Sequence, residues 1–408
     1  MFVIDKTKYS IFLSVAIIYF FFNSTFLPYG LLYTTILSPL FFYWLIKKGQ
    51  LPKMLAWSVL FLIPIPFHLY LGVNLKSYII STGMIATVYV FLFTALEAIK
   101  QEGEELEKVF KVVLYTNALL ATLVWIVLFF DIGNFIFWHY TRITHGVSIF
   151  PRLMLFAYEP SLYALLLSPV YLYFILKIIT GQAKPLLLVI LAVSIPLIIS
   201  LSFGVIGGLA IAILLTLLIF FKKLPVLTKK YLFYSLAAIG IIGFVATYFW
   251  PENPVSVRVV NIFTGNDTSS EGRIESAFKV AIDLIDFKKA YMGVGPGQVK
   301  ELYNDLLTTY YKIDLKSPID YRIPNSIAEM LALYGFYGII VKLGIEIYFF
   351  VRLKTYKNIY TFTLFIFIFL YQFTGSFTVN ISEIGIWAIV FGSRIDSLDF
   401  QSLKFTAS

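Results

Sequence analysis

The feature that most constrains this chain is a series of apolar runs, each about as long as a membrane is thick. A spanning helix needs about 20 mainly apolar residues, because each residue rises about 1.5 Å and the hydrocarbon core is roughly 30 Å thick. Such runs lie near residues 9–24, 27–46, 54–70, 77–96, 109–130, 153–176, 185–201, 203–221, 231–250, 325–351, 358–376 and 379–394. Only 13% of the residues are charged, about half the share of a soluble domain. The sequence therefore excludes a soluble globule and predicts an all-α polytopic membrane bundle of about 12 transmembrane helices.

Two of these runs need interpretation. The apolar stretch 185–221 is too long for one helix, so it predicts two helices with a tight turn around Ser200–Gly204, or a re-entrant pair. The first run follows Lys6 and Lys8 and has no small-residue cleavage site after it. We therefore interpret it as an anchor and not as a signal peptide.

The cationic residues between the runs set the orientation. If the N-terminus is cytoplasmic, most of the 32 lysines and arginines lie in cytoplasmic segments, whereas the short outer loops hold only Lys76, Arg142 and Arg152. Cytoplasmic loops carry the excess of Lys and Arg, and long translocated segments are largely exempt from this count. Both termini are therefore predicted to be cytoplasmic.

This topology divides the chain into three parts. Residues 1–250 hold helices 1–9, residues 251–323 form one large outer (periplasmic) loop, and residues 324–408 hold helices 10–12 and a cytoplasmic C-terminus. The loop contains two stretches with apolar residues at helical spacing, which predict amphipathic helices lying over the membrane domain. The apolar positions are Ile274, Phe278, Ala281 and Ile285, then Val299, Leu302, Leu306 and Tyr310.

The arginines are concentrated on the predicted outer side, where topology does not require them. Arginine offers a planar, permanently charged fork that matches phosphate oxygens two at a time. An anionic, phosphate-bearing ligand at the outer surface would explain the set, and ordinary loop arginines paired with acidic residues or lipid headgroups are the alternative. The outer arginines are Arg142, Arg152, Arg258, Arg273 and Arg322.

Candidate proton acceptors are few. Glu159, next to Tyr158 at the head of a span, is a carboxylate at membrane depth, which favours a functional role. The alternative is structural, because Pro160 suits a first helical turn and a glutamate there complements the helix dipole. His145 lies in an outer loop, where a solvated side chain is the simpler interpretation.

Other polar groups favour structural roles. Lys342 and Glu346 are spaced to pair across one helical turn, and Glu383 could face the same cavity. Ser326 and Glu329 are spaced as a capping box. The chain has no cysteine, and it holds no HExxH, Walker A or GxSxG pattern and no acidic cluster. It therefore predicts neither a metal site nor a cofactor.

Four short segments, in order along the chain, carry a resemblance to a known family. They are Phe156–Ser161, Ser200–Gly204, Arg273 with the later Gly293–Gly297, and Asn325 with Gly335 and Gly338. They resemble the patterns G-x-F-x-E-P-S/N, T-x-S-R-G, R-…-G-x-G-x-G and H-N-x9-G-x2-G of the O-antigen polymerase and ligase superfamily. The resemblance covers roughly residues 150–345.

The sequence departs from the family's patterns at several points. Phe203 stands in place of an arginine, and Pro324 stands where ligases have a histidine. No outer arginine starts the R-x10-G spacing described for some polymerases, so roles cannot be assigned to the arginines one by one. The missing histidine favours a polymerase over a ligase.

The resemblance implies a GT-C-like fold and an inverting, metal-independent glycosyl transfer at the outer face of the bacterial cytoplasmic membrane. A glycan chain on polyprenyl (undecaprenyl) diphosphate would pass en bloc to the non-reducing end of a lipid-linked repeat unit. The implied catalytic residues are Arg273 and Arg322 for the diphosphate charge, and Glu159 and His145 as proton acceptors. The implied substrate-binding residues are Arg142, Arg152, Arg258, Asn325 and Tyr158.

Two alternatives stay open: an O-antigen ligase, and a flippase that transports a lipid-linked oligosaccharide. A helical 73-residue outer loop is not explained by transport. The partners implied are the lipid-linked donor and acceptor and the bilayer, with no nucleic acid. Whether a chain-length regulator binds is left open by the sequence.

Overall fold

A computed structural model of the chain supplies the fold. It describes residues 11–22, 27, 31–102, 105–128, 137–142, 149–182, 187–221, 229–230, 268–313, 317, 319 and 321–400, with isolated positions between 241 and 264.

The described structure is almost entirely helical. The first half contains α1 (Ile11–Phe21), α2 (Tyr33–Ile36), α3 (Ser38–Lys47), α4 (Leu51–Leu62), α5 (Ile65–Tyr70), α6 (Leu75–Glu102), α7 (Leu106–Leu128), α8 (Pro160–Ile179), α9 (Leu187–Ile199) and α10 (Phe203–Phe220). The second half contains α11 (Thr268–Arg273), α12 (Glu275–Lys288), α13 (Gln298–Asp305), a π-helical turn (Leu306–Tyr310), α14 (Ser326–Arg352), α15 (Ile359–Tyr371) and α16 (Ile381–Gly392), with short 3-10 turns at Thr355–Lys357 and Asp396–Leu398.

The lengths and composition of these helices are those of a membrane protein. Within the described residues, 6 helices are long and apolar enough to cross a membrane, and four shorter apolar helices accompany them. The chain is thus an all-α polytopic membrane protein, as its sequence predicts. The count of twelve spans stays a prediction, since most of the ninth predicted span, 231–250, lies outside the described residues.

Within the described residues, a β-hairpin departs from the helical structure that the sequence predicts. Strands β1 (Trp138–Arg142) and β2 (Ile149–Leu153) pair antiparallel, with His139 opposite Arg152. The predicted span 153–176 accordingly begins late: α8 starts at Pro160, because Glu159 before it has an extended backbone. Aromatic and β-branched residues on both sides of the hairpin suit a pleated surface.

The core is organised around α8. This helix is apolar on nearly all sides and is buried along most of its length, which is the pattern of a central helix. It packs against α7, α10, α15 and α16, while α16 also packs closely on α6. The turn predicted within 185–221 is present at Ser200–Ser202, between α9 and α10.

The long outer loop folds onto the bundle through α11–α13. α12 packs on α14 and buries the side chains of Ala277, Ala281, Leu284 and Ile285. The buried face of α12 differs from the one that the sequence predicts, because Ile274 is exposed.

Tyr303 and Tyr321 of the outer loop stack with their ring centroids 3.9 Å apart. Burial, followed by the neighbouring Tyr303, raises the pKa of Tyr321 to about 12. Both phenols therefore stay neutral at physiological pH.

Contacts between connecting segments join residues predicted on the same side of the membrane. Asn74 hydrogen-bonds Gln298 at one end of the bundle, and Lys48 hydrogen-bonds Gln101 at the other. The predicted alternation of sides is therefore compatible with the packing. We call the end that holds Gln298 and the start of α14 the outer end, following the predicted orientation.

Candidate functional site

The start of α14 is fixed by Asn325. Its side-chain oxygen accepts hydrogen bonds from the backbone N–H groups of Ile327 (3.1 Å) and Ala328 (2.9 Å), so Asn325 is the N-cap. The predicted capping box from Ser326 to Glu329 is therefore wrong. The backbone turns into the helix one residue earlier than that pattern requires, and Glu329 instead accepts a hydrogen bond from the backbone of Thr378.

The amide nitrogen of Asn325 ties three segments together. It donates to the carbonyl of Arg273 at 2.9 Å and to the carbonyl of Phe373 at 2.6 Å. Asn325 is 0% exposed, and its amide is engaged by protein groups on both sides. The outer loop, α14 and the end of α15 thus meet at this one side chain. The substrate-binding role of Asn325 stays a prediction, and the structure adds a scaffolding role to it.

Arg273 lies beside Tyr371, the last residue of α15. Its guanidinium and the carboxylates of Glu159 and Glu383 lie close enough to the Tyr371 hydroxyl to act on it electrostatically. Two of the predicted catalytic residues, Arg273 and Glu159, therefore lie near the same tyrosine. The sequence does not predict Tyr371 as a site residue, because a tyrosine at the end of an apolar run is typical of interface belts.

Glu159 occupies the N-cap position of α8 without capping it through its side chain. The helix N-terminus receives no hydrogen bond from the Glu159 side chain, and Pro160 is the first helical residue. The carboxylate instead accepts a hydrogen bond from the Ser161 hydroxyl. Its position thus satisfies the structural interpretation, and its charge also acts electrostatically on the Tyr371 hydroxyl. Tyr158, directly before Glu159 in the chain, is exposed.

Arg322 lies at the surface of the outer end. Its guanidinium carbon is 3.7 Å from the centroid of the Phe377 ring, and its Nε is 3.6 Å from Glu329 Oε1. The side chain is 49% exposed, so it is oriented by a stacking contact and still accessible from outside. It precedes Asn325 by three residues in the chain.

Arg152 holds the hairpin against the α9–α10 turn. Its Nε donates to the Ser200 carbonyl at 3.2 Å and its Nη2 to the Leu201 carbonyl at 3.3 Å. Leu201 has a left-handed backbone (φ 48°), so the arginine stabilises a tight, irregular turn. These contacts bring the hairpin to one segment of the family resemblance, Ser200–Gly204. The substrate-binding role of Arg152 stays a prediction.

Three predicted site residues cannot be located as side chains. Arg142 ends β1, and nothing of its side chain is described. His145 and Arg258 lie outside the described residues. Their predicted roles, catalytic for His145 and substrate-binding for Arg142 and Arg258, stay predictions.

The glycine-rich turn 293–297 packs on a break in α14. The N–H groups of Val294 and Gly295 donate to the carbonyls of Ala332 (2.8 Å) and Leu333 (3.0 Å). These carbonyls are free because α14 is interrupted at Gly335, whose φ is 64° and ψ −161°. A Cβ at Gly335 would collide with the Tyr291 carbonyl. The glycines of both segments therefore serve a close backbone approach that holds the outer loop in place.

A buried charged cluster lies between α14 and α16. Lys342 Nζ is 3.2 Å from Glu346 Oε1, which confirms the predicted pair, and 2.8 Å from Glu383 Oε1. Gln372 donates to Glu346 at 2.8 Å. Among the described residues, buried atoms without a hydrogen-bond partner here include Gln372 Oε1, Thr378 Oγ1 and Glu383 Oε2. The cluster carries one cation and two carboxylates.

An apolar groove of about 270 Å³ runs between α4, α6, α14 and α16. Its walls include Phe61, Leu92 and Tyr334. One end lies among residues predicted to be cytoplasmic, such as Lys100, and the other reaches Thr378 at the outer end. The groove thus extends through the predicted membrane depth to the end that carries the arginines.

These features define a polytopic helical membrane protein with anchored arginines and a carboxylate at one end, next to an apolar groove. Residues 186–343 match the family described as O-antigen ligase. The match confirms the resemblance to the O-antigen polymerase and ligase superfamily, over less than half of the chain, and does not distinguish the two activities. It includes Arg273, Asn325 and Lys342. No curated protein matches the chain.

Proposed function

We propose that this protein is a polysaccharide polymerase of the O-antigen type. It moves a glycan chain from polyprenyl diphosphate to the non-reducing end of a lipid-linked repeat unit, at the outer face of the bacterial cytoplasmic membrane. In this proposal both termini are cytoplasmic. Residues 1–250 and 324–408 hold the membrane-spanning helices, and residues 251–323 form the outer loop between them. The match of residues 186–343 to a family of membrane glycosyltransferase-like enzymes supports the reaction class.

The observation that carries the proposal is the fixed position of Arg273. Its backbone carbonyl accepts a hydrogen bond from Asn325, and its guanidinium lies near Tyr371, on which Glu159 also acts electrostatically. A pre-positioned cation that meets developing negative charge can lower a barrier strongly, because it needs no reorganisation during the reaction. A carboxylate close to it can serve as the general base.

The reaction is a single displacement. The acceptor hydroxyl oxygen forms a bond to the anomeric carbon of the donor, and the bond from that carbon to the diphosphate oxygen breaks. The diphosphate leaves with the electron pair, and the hydroxyl proton passes to Glu159. Attack opposite the leaving group inverts the anomeric carbon. Arg273 and Arg322 neutralise the charge that develops on the diphosphate.

The apolar groove is the proposed place for a polyprenyl chain. An isoprenoid is as apolar as the membrane core, and a lining of aromatic and aliphatic side chains suits it. The groove reaches the outer end near Thr378, whose backbone N–H donates to the Glu329 carboxylate. A lipid lying there would bring its head group toward the arginines.

The second candidate is an O-antigen ligase, because the matching family carries that description. Pro324 stands directly before Asn325, where the resemblance would place a ligase histidine. That substitution removes a proton-transfer group at the start of α14. We therefore favour the polymerase.

The test is elongation by the purified protein. Incubated with lipid-linked repeat units in the presence of EDTA, the protein should yield products of several repeats. A ligase would transfer glycan to a core-lipid acceptor and leave the repeat units unextended, and a flippase would form no new product. A strict requirement for a metal ion would contradict the metal-independent mechanism.

A further inference from the structure

Helix α14 folds back on itself at Gly335. The Ser326 hydroxyl and the Lys342 ammonium both contact Glu383 Oε1, at 3.4 Å and 2.8 Å. On an unbroken helix the Cα atoms of Ser326 and Lys342 would lie about 24 Å apart, which is too far for their side chains to reach one atom. The helix therefore consists of two arms that meet at a sharp angle. We call residues 326–334 the first arm and residues 336–352 the second arm.

Helix α12 lies alongside the first arm. At one end, the Arg273 carbonyl just before α12 accepts a hydrogen bond from Asn325, at the start of the first arm. At the other end, the turn 293–297 after α12 donates hydrogen bonds to the last residues of the first arm. That turn continues into Gln298 at the outer end. Because the first arm rises about 13 Å, Arg273 and Asn325 lie about that far inward from the turn.

The lengths of α15 and α16 place the same region below the outer surface of the membrane. They have 13 and 12 residues, and so rise about 20 Å and 18 Å, whereas the hydrocarbon core is roughly 30 Å thick. Asn358, before α15, donates to the Ile395 carbonyl, after α16, among residues predicted to be cytoplasmic. The connection 372–380 between their other ends therefore stops about 10 Å short of the outer surface. The first arm rests on this connection, since the Ser326 N–H donates to the Gly375 carbonyl at 3.1 Å.

Over this depth, the exposed side chains of α12 and of the second arm differ in polarity. Phe336 and Ile340 of the second arm are exposed and apolar, as lipid requires. α12 instead exposes Glu275, Lys279 and Asp286 along one face. A charged side chain at membrane depth is costly in lipid, and it faces the bundle interior or a water-filled cavity. The exposed face of α12 therefore meets water at a depth where the second arm meets lipid.

We propose that a water-filled crevice enters the bundle from the outer face, and that the diphosphate of the lipid-linked donor binds at its floor. The floor consists of the connection 372–380 and the start of the first arm, beside Arg273, about 10 Å below the outer surface of the membrane. Arg322 stacks on Phe377 of this connection and is 49% exposed, so it is accessible from the crevice. The identity of the ligand rests on the proposed function.

The apolar groove begins at this floor. Its walls include Met330 and Thr378 at one end and Lys100 at the other, so it lies inward from the crevice. A polyprenyl chain in the groove would hold its diphosphate at the floor, and not level with the lipid head groups. The donor must therefore be drawn inward by about 10 Å when it binds.

The experiment measures depth with single cysteines, because the chain has none of its own. Glu275→Cys and Asp286→Cys lie on the exposed face of α12, with Asp286 about 16 Å nearer the turn 293–297. Ile340→Cys is the lipid-facing control. Membrane-impermeant biotin thiol reagents with a short or a long spacer are added to the outside of spheroplasts, followed by streptavidin, which is too large to enter a crevice. If Glu275→Cys does not fold, as judged by size-exclusion chromatography, Lys279→Cys takes its place.

We expect both α12 cysteines to react and Ile340→Cys to stay unlabelled. Streptavidin should capture Asp286→Cys with either spacer, but Glu275→Cys should lose capture with the short spacer. Equal short-spacer capture of the two α12 cysteines would overturn the crevice. A folded Glu275→Cys that does not react would overturn it as well.

A second measurement tests the ligand. In proteoliposomes, undecaprenyl diphosphate at about ten times its Kd should slow the labelling of Glu275→Cys about tenfold, by mass action, and leave Asp286→Cys unchanged. Equal labelling rates of Glu275→Cys with and without the lipid would overturn the placement of the diphosphate at the floor. Elongation by the wild-type protein tests the proposed function separately. A protein that shows the spacer dependence and the protection but forms no longer product keeps the crevice and loses the polymerase assignment.

Discussion

Replacing Asn325 tests whether one buried amide holds the arginine of the site. Asn325→Ala removes an N-cap, which costs about 1 kcal/mol. It also leaves the half-buried carbonyls of Arg273 and Phe373 without their donor, at about 1 kcal/mol each. The expected loss of unfolding free energy is therefore about 3 kcal/mol. The released Arg273 should also reduce elongation by about 10²–10³, the usual cost of losing a charge-stabilising donor.

Asn358 is the matched control. It caps α15 in the same manner, accepting from Tyr360 and Thr361, and its amide donates to the Ile395 carbonyl at 2.7 Å. Asn358→Ala loses a cap and leaves one buried carbonyl unpaired, which by the same increments costs about 2 kcal/mol. Because Asn358 lies at the opposite end of the bundle, elongation by the folded protein should be unchanged.

Asn325→Ser separates the two parts of the effect. Serine caps a helix as well as asparagine, but its short side chain lacks the amide that donates to the carbonyls of Arg273 and Phe373. We expect α14 to stay intact and elongation to fall as in Asn325→Ala. Thermal unfolding in detergent and elongation of lipid-linked repeat units measure the two quantities. If Asn325→Ser elongates like the wild-type protein, the argument that this amide positions Arg273 is refuted.

Three further predictions concern the arginine, the helix break and the groove. Arg273→Ala should abolish the long-chain ladder in cells while the single-repeat product persists, and a full ladder would disprove the role of Arg273 in charge stabilisation. Gly335→Ala should prevent accumulation of folded protein, because the φ of Gly335 is positive and a Cβ there would meet the Tyr291 carbonyl. Gly344→Ala, on the same helix, places its Cβ against no neighbour and should be tolerated. Size-exclusion chromatography measures the folded protein in both cases. Leu92→Trp should raise the KM for the lipid-linked substrate by obstructing the groove, and Ile79→Trp, on the exposed side of α6, should not; equal KM values would remove the groove from the proposal.

Much of the fold could be predicted because lipid imposes one simple rule on the sequence. Apolar runs of membrane length predict helices, and the break at Ser200–Ser202 follows from a run too long for one span. The hairpin β1–β2 could not be found this way, because its residues are few and the contact of Arg152 with the α9–α10 turn joins segments far apart in the chain. Short strands are set by tertiary contacts more than by local propensity.

The candidate site was only partly visible for a related reason. Glu159 could be named, since charge at membrane depth is costly and therefore conspicuous, and Arg273 could be named as one of the arginines on the predicted outer side. Tyr371 could not, since a tyrosine ending an apolar run has an ordinary explanation. Asn325 was named for substrate binding, but only the structure reveals that its amide is engaged by the Arg273 and Phe373 carbonyls. Side-chain partners far apart in the chain leave no local pattern.

The break in α14 also dictates an order of assembly. The carbonyls of Ala332 and Leu333 are satisfied by Val294 and Gly295, and unsatisfied backbone at membrane depth would be expensive. The donors precede the acceptors in the chain, so the turn 293–297 is already synthesised, and in the predicted topology already translocated, when α14 enters the membrane. The outer loop thus acts as a template on which this helix completes its hydrogen bonding. A version of the protein shortened within this loop would be expected to fail at membrane insertion, before any question of catalysis arises.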